Sequence, residues 1–148
     1  SNPGAVRFQN LEVRRGASPS EGAPLETGDK EPVPLYEEVS RAVAGWAGSY
    51  PGTGAVVGAT SIDELEKIVA LYAPNPLPLL IPGVGSQGGS AAEVIEVLGR
   101  HGYPLGLVRI NSSSGITHPW KKRGEKAPQG WVDECMEALR ALIDACSA

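Results

Sequence analysis

The sequence predicts an α/β fold built on a parallel sheet. Three observations carry that reading. Short apolar runs bounded by glycine or proline recur along the chain, each is followed by a segment of helical periodicity, and the order repeats three times after an initial helix. Right-handed crossovers then place the C-terminal end of every strand, and the loop that follows it, on one side of the sheet.

Taken in order, Ser1 to Gly4 reads as a turn, because Asn-Pro and Pro-Gly are strong breakers. Residues 14–34 are rich in Gly, Pro, Ser and charge and are expected to form an exposed, mobile insertion within one domain spanning 1–148. Leu35 to Tyr50 is expected to be helical, with Leu35, Val39, Ala42, Val43 and Trp46 inward and Glu37 and Glu38 suited to its first turn. Pro51-Gly52 ends it. Gly54 to Ala59 reads as a buried strand, and Thr60 or Ser61 caps a second helix, with Glu64 completing a capping box after Ser61. Leu65, Ile68, Val69 and Tyr72 form that helix's inner stripe. Leu77 to Ile81 is the second strand and Ala91 to Gly99 the third helix, with Val94, Ile95 and Leu98 inward. Leu105 to Ile110 is the third strand. Trp131 to Cys146 is the last helix, with Val132, Cys135, Met136, Leu139, Leu142, Ile143 and Cys146 on one stripe.

Composition narrows the function. The 148 residues suffice for one domain with a real core. A net charge of −4 and the absence of a long basic tract argue against nucleic acid, and Lys121-Lys122-Arg123 reads as a solvated loop. No apolar run reaches membrane-spanning length and no signal peptide is visible, so neither a membrane partner nor export is expected. Cys135 and Cys146 share a helix face, but stand roughly 16 Å apart along it, too far for a disulfide. Two buried free thiols in a reducing compartment follow. The opening Ser1-Asn2-Pro3-Gly4-Ala5 lacks an initiator Met, as expected of a processed chain or a part of something longer.

The organising stretch is Leu79 to Ser90. An apolar run ends in Pro82-Gly83, and four glycines fall within the seven residues from Gly83 to Gly89. Such a loop could present backbone N–H groups to an anion, and glycine lets a ligand approach the backbone. Gln87 is its only sizeable side chain, and it can both donate and accept. The third strand empties into Asn111-Ser112-Ser113-Ser114-Gly115-Ile116, which could add N–H groups at Ser113 to Ile116 and three hydroxyls. The plain alternatives are a strand-to-helix connection for the first loop and a helix N-cap run for the second. Two such loops after consecutive strands are the arrangement by which (β/α)₈ barrels often hold phosphate. No P-loop, metal-spaced His/Cys set or Ser-His-Asp arrangement is visible. His101 and His118 read as isolated residues on turns flanking helices.

Gly58-Ala59-Thr60, the run Leu80 to Gly89 and Ile110-Asn111-Ser112-Ser113 together resemble the second half of the orotidine 5′-monophosphate decarboxylase family. Residues 82–89 match its specific motif Pro-Gly-(Val/Ile)-Gly-(Ala/Ser)-Gln-Gly-Gly. The opening Ser1-Asn2-Pro3 is similar to the family's segment at the end of strand five. The resemblance covers the chain except residues 14–34. It implies a (β/α)₈ barrel, of which this chain supplies the loop after strand five and βα units six to eight. A barrel typically needs about 250 residues, so 148 cannot close one alone.

The resemblance also implies the site. Ser1 would hydrogen-bond the pyrimidine, Pro82 would lie beside the base, and Gln87, with Gly88 in the same loop, would bridge base and phosphate. The Ser113 backbone N–H would meet the phosphate. Ser114 departs from the pattern, because it stands where the family has its phosphate-binding arginine. Arg109 on the strand and Arg123 in the next loop could compensate, but neither matches the motif. The family's Asp-x-Lys-x-x-Asp array is absent from the sequence, so the chemistry is expected from an N-terminal half of the barrel. The implied reaction is decarboxylation of orotidylate to uridylate, with no cofactor, in a cytoplasmic homodimer of barrels. Two rival expectations stand beside it: a non-catalytic phosphate- or nucleotide-binding remnant of the same barrel, and a terminal Ser1 nucleophile left by self-cleavage.

Overall fold

The structure is a computed structural model that describes residues 7–13, 31–85 and 87–147. Ser1 and the rest of the opening turn lie outside the described residues, as do residues 14–30 of the expected insertion. The last two residues of that insertion are strand, and they are drawn against the residues just before it. Strand β1 (Glu12–Val13) pairs antiparallel with β2 (Val33–Pro34), Val13 opposite Val33.

The main sheet has three parallel strands in chain order: β3 (Ala55–Val56), β4 (Leu79–Pro82) and β5 (Val108–Asn111). Ala55 lies opposite Leu79, and Leu79 opposite Val108. Beyond β3 the pairing continues, because Val57 N–H donates to the Leu80 carbonyl at 3.0 Å and Ala59 N–H to that of Pro82 at 2.9 Å. The predicted third strand starts late. Leu105–Leu107 is a 3₁₀ turn that closes with Leu107 N–H on the Pro104 carbonyl, since Pro104 and Gly106 favour a turn over extended chain.

The helices are α1 (Leu35–Ser49), α2 (Ile62–Tyr72), α3 (Ala91–Arg100), the single turn α4 (Ser114–Thr117) and α5 (Trp131–Ser147). Adjacent long helices pack in the order α1, α2, α3, α5. Side chains alternate along β4: Leu79 and Ile81 are buried in the core, while Leu80 points away and is exposed. The core therefore sits between the sheet and its helices, with Leu65, Val69 and Tyr72 from α2 and Val94, Val97 and Leu98 from α3. Val56, 70% exposed, joins Leu80 and Arg109 in a shallow depression of about 390 Å³ on the sheet.

Four expectations need correction. On α1 the inward residues are Tyr36, Ser40, Val43, Ala44 and Ala47, whereas Val39, Ala42 and Trp46 are exposed. Small residues admit close packing, and Ser40 satisfies its hydroxyl on the Tyr36 carbonyl one turn back (2.8 Å), so polarity does not bar it from the core. On α5, Leu139, Leu142 and Cys146 face the core cluster or its edge, but Val132, Met136 and Ile143 are exposed. That helix packs on α3, α4 and the 3₁₀ turn Pro119–Arg123, and these contacts leave part of its apolar stripe uncovered. The expected cap at Ser61 makes no side-chain bond. Ser90 does cap its helix, accepting from Glu93 N–H at 3.4 Å. Both cysteines are half-buried rather than buried, and both are free. Burial pushes the Cys146 thiol pKa up, and Cys135 Sγ lies 3.6 Å from the Thr117 carbonyl.

One polar bridge locks the entry to β4. The buried Tyr103 hydroxyl donates to the Leu77 carbonyl (2.6 Å) and accepts from Leu77 N–H (3.1 Å). Burial, then the nearby Tyr72, holds its pKa above the ordinary 10.0 against the lowering effect of the Leu77 backbone. Tyr103→Phe would leave both Leu77 backbone groups unpaired. Urea unfolding should show a loss of about 1–3 kcal/mol, and an unchanged midpoint would contradict the bridge's role. The outer edges of β3 and β5 carry no described strand partner, and open edges template pairing with other chains. Sedimentation of this chain should show concentration-dependent association, and a single monomeric species up to high concentration would count against it.

Candidate functional site

The three loops after β3, β4 and β5 meet, as the crossover rule required. The glycine loop packs directly on the first of them. A Cβ on Gly89 would come within 2.8 Å of the Ala59 Cβ and carbonyl oxygen and of the Gly83 carbonyl, so no side chain fits there. Gly83 has φ +93° and lies against Thr60, whose Cγ2 would be 3.2 Å from a Cβ at that position. On the other flank Gly85, with φ +87°, approaches the serine loop: a Cβ there would be 3.1 Å from Ser112 Oγ. Positive φ and close contact together explain glycine at these positions.

The loop is braced internally. Gly85 N–H donates to the Gly89 carbonyl (2.8 Å), Gly89 N–H to that of Gly83 (3.1 Å), and Gly88 N–H to that of Gly85 (3.2 Å). This narrows the expectation of a loop that presents backbone N–H groups to an anion, since three of them are spent on holding its shape. The expectation for the serine loop narrows in the same way. Its Ile116 and Thr117 N–H groups, and the Thr117 hydroxyl, all donate to the Ser113 carbonyl. Ser113 stands at the start of α4 but makes no side-chain cap.

Of the sequence-predicted site residues, the structure brings Pro82, Gln87 and Gly88 together on the glycine loop, with Ser113 and Ser114 on the adjoining serine loop. Pro82 is half-buried, and the other four are exposed. Gln87 folds back over its own loop, its Oε1 3.4 Å from where a Gly83 Cβ would stand. Ser1 lies outside the described residues. Neither candidate arginine serves the mouth. Arg109 Nη1 turns back to the Gly106 and Val108 carbonyls, and Arg123 is held by Glu125 (2.7 Å) and Glu134 (2.8 Å).

A residue outside the sequence-based set does reach the mouth. Lys122, in the 3₁₀ turn Pro119–Arg123, donates from Nζ to the Gly85 carbonyl at 2.9 Å. The only signal in the sequence was the basic triplet itself, which a solvated turn explains equally well. The two histidines do lie on helix-flanking turns, but neither is isolated: His101 pairs with Glu66 at 3.3 Å, and His118 packs edge-on against Trp120. Among the described residues, no group of three His, Cys, Asp or Glu side chains is placed to hold a metal.

The fold and site define a class first: parallel βα units whose glycine- and serine-rich loops converge at the C-terminal ends of the strands. The comparisons with known proteins then narrow it. The chain is 41% identical over 116 residues to an orotidine 5′-phosphate decarboxylase of Haloarcula marismortui, covering 78% of this chain and 34% of that protein. It is 38% identical over 148 residues to one of Paracidovorax citrulli, covering 100% of this chain and 45% of the relative. It is 42% identical over 118 residues to one of Polaromonas naphthalenivorans, covering 80% and 36%. No protein-family model matches the chain, and no solved structure matches it. The chain is homologous to the C-terminal part of these orotidine 5′-phosphate decarboxylases. It spans between about a third and just under half of their length.

Gly89→Ala tests the packing that sets the mouth. The added methyl meets backbone oxygens that cannot rotate away, so the loop must shift. Thermal unfolding should show a loss of about 1–3 kcal/mol, with amide shifts at Ala59 and Gly83. A variant of wild-type stability and unshifted amides would mean that the contact is not tight in solution.

Proposed function

We propose that this chain is the phosphate- and base-binding part of an orotidine 5′-phosphate decarboxylase, completing a (β/α)₈ barrel with an N-terminal half. The reaction is loss of CO₂ from orotidylate to give uridylate, without a cofactor, as the family resemblance implies. The observation that carries the reading is the match of the whole chain, glycine loop and serine loop included, to named decarboxylases.

The architecture supports it. Clefts lined by apolar side chains run along both outer strands. One of about 620 Å³ beside β3 includes Val39, Val43, Val56 and Ile68, and one of about 440 Å³ beside β5 includes Ile95, Ile110, Leu139 and Leu142. Further βα units would fill both and pair the strand edges. The exposed Val56 and Leu80 would then become interior, as inward-facing barrel residues are. The N-terminal half would also bring the lysine and aspartates of the Asp-x-Lys-x-x-Asp array, which this sequence lacks.

In this reading Pro82 flanks the base, Gln87 and Gly88 close between base and phosphate, and Ser113 and Ser114 border the phosphate, with Ser1 on the pyrimidine. Holding a phosphate remote from the reacting carbon lets binding energy orient that carbon and exclude water. The proposal extends to a cytoplasmic homodimer of barrels.

The test is complementation. This chain is combined with the N-terminal remainder of the Paracidovorax citrulli relative, and orotidylate loss is followed by absorbance. The expected result is decarboxylation by the mixture and by neither piece alone. A folded complex that binds uridine 5′-monophosphate without turning over orotidylate would instead support a binding remnant.

A further inference from the structure

We propose that Lys122 is the cationic ligand for the phosphate at this mouth, which deepens and rests on the nucleotide-binding reading above. The serine loop itself brings no charge, since Ser112, Ser113 and Ser114 carry hydroxyls only. Arg109 is turned toward the opposite end of β5 by two carbonyls, and Arg123 is neutralised by two carboxylates. Lys122 is different in both respects. Its Nζ is fixed 2.9 Å from the Gly85 carbonyl, 37 residues away in sequence, and among the described residues no carboxylate pairs with it.

The anchor point matters. Gly85 is the glycine-loop residue that abuts Ser112, so the ammonium sits at the seam between the two loops. The carbonyl it contacts also accepts from Gly88 N–H, which ties the lysine to the loop that carries Gln87 and Gly88. An ammonium has three donors, and the Gly85 contact uses one. Two remain for phosphate oxygens, on an exposed charge that the Gly85 contact has already placed. Lysine binds phosphate as a point charge and does not need the flat fork that arginine requires. The turn itself is set by Pro119 at its start, by the buried Trp120, and by Gly124 in the left-handed conformation at its end. Lys122 therefore projects from a fixed base.

The experiment is titration calorimetry of this chain, combined with the N-terminal remainder of the Paracidovorax citrulli relative, with uridine 5′-monophosphate, uridine and inorganic phosphate, at low and high salt. Lys122→Met should weaken the monophosphate about 10-fold or more and leave uridine unchanged, while Lys122→Arg retains most of the affinity. Circular dichroism of Lys122→Met should match the wild type, because the side chain is exposed. If Lys122→Met binds the monophosphate as tightly as the wild type, the lysine assignment falls and the nucleotide reading stands. If inorganic phosphate binds through Lys122 but the nucleoside adds nothing, the lysine assignment stands and the nucleotide reading falls. If neither phosphate nor monophosphate binds the wild type, both fall.

Discussion

β4 pairs in parallel with β3 on one side and β5 on the other, and every loop at the mouth takes its height from that pairing. Leu79 opposite both Ala55 and Val108 brings Pro82 level with Ala59 and Asn111. A slip of one residue would turn Leu79 and Ile81 out of the core and Leu80 into it. The Tyr103 hydroxyl, bonded to both backbone groups of Leu77, pins the strand just before it begins. The glycines then let three backbones converge where side chains would hold them apart.

That convergence has a chemical consequence. A loop that spends its amides on bracing itself is rigid but offers an anion fewer donors. Gly85, Gly88 and Gly89 use their N–H groups internally, and Ile116 and Thr117 use theirs on the Ser113 carbonyl. Charge delivered from a separate turn offsets this, and Lys122 is the side chain placed to deliver it. The arrangement separates shape, set by glycine packing, from charge, set by the turn Pro119–Arg123.

The sheet's layering fits a partial α/β domain. α2 and α3 are amphipathic in the ordinary way and bury their full inner stripes. α1 and α5, at the two ends of the helix row, each half-bury one set of small or aliphatic residues and leave a second apolar set exposed: Val39 and Trp46 on one, Val132, Met136 and Ile143 on the other. Periodicity alone chose the larger side chains as the inward face of α1. A helix with two apolar faces gives one blended stripe to a sequence reader, and only its neighbours decide which face is covered.

The sequence by itself determined the order of elements, the parallel sheet, the inner stripe of α2 and the two loops that carry the candidate site. Local periodicity, glycine and proline punctuation and the motif at 82–89 suffice for these, because each is encoded within a few residues. The tertiary structure decided what depends on residues far apart. It turned α1 toward Ser40 and Ala47, closed the loop amides on one another, engaged Arg109 and Arg123 elsewhere, and brought Lys122 to Gly85. A hydrogen bond across 37 residues has no local signature. It exists only once the strands have set the distance between the two loops.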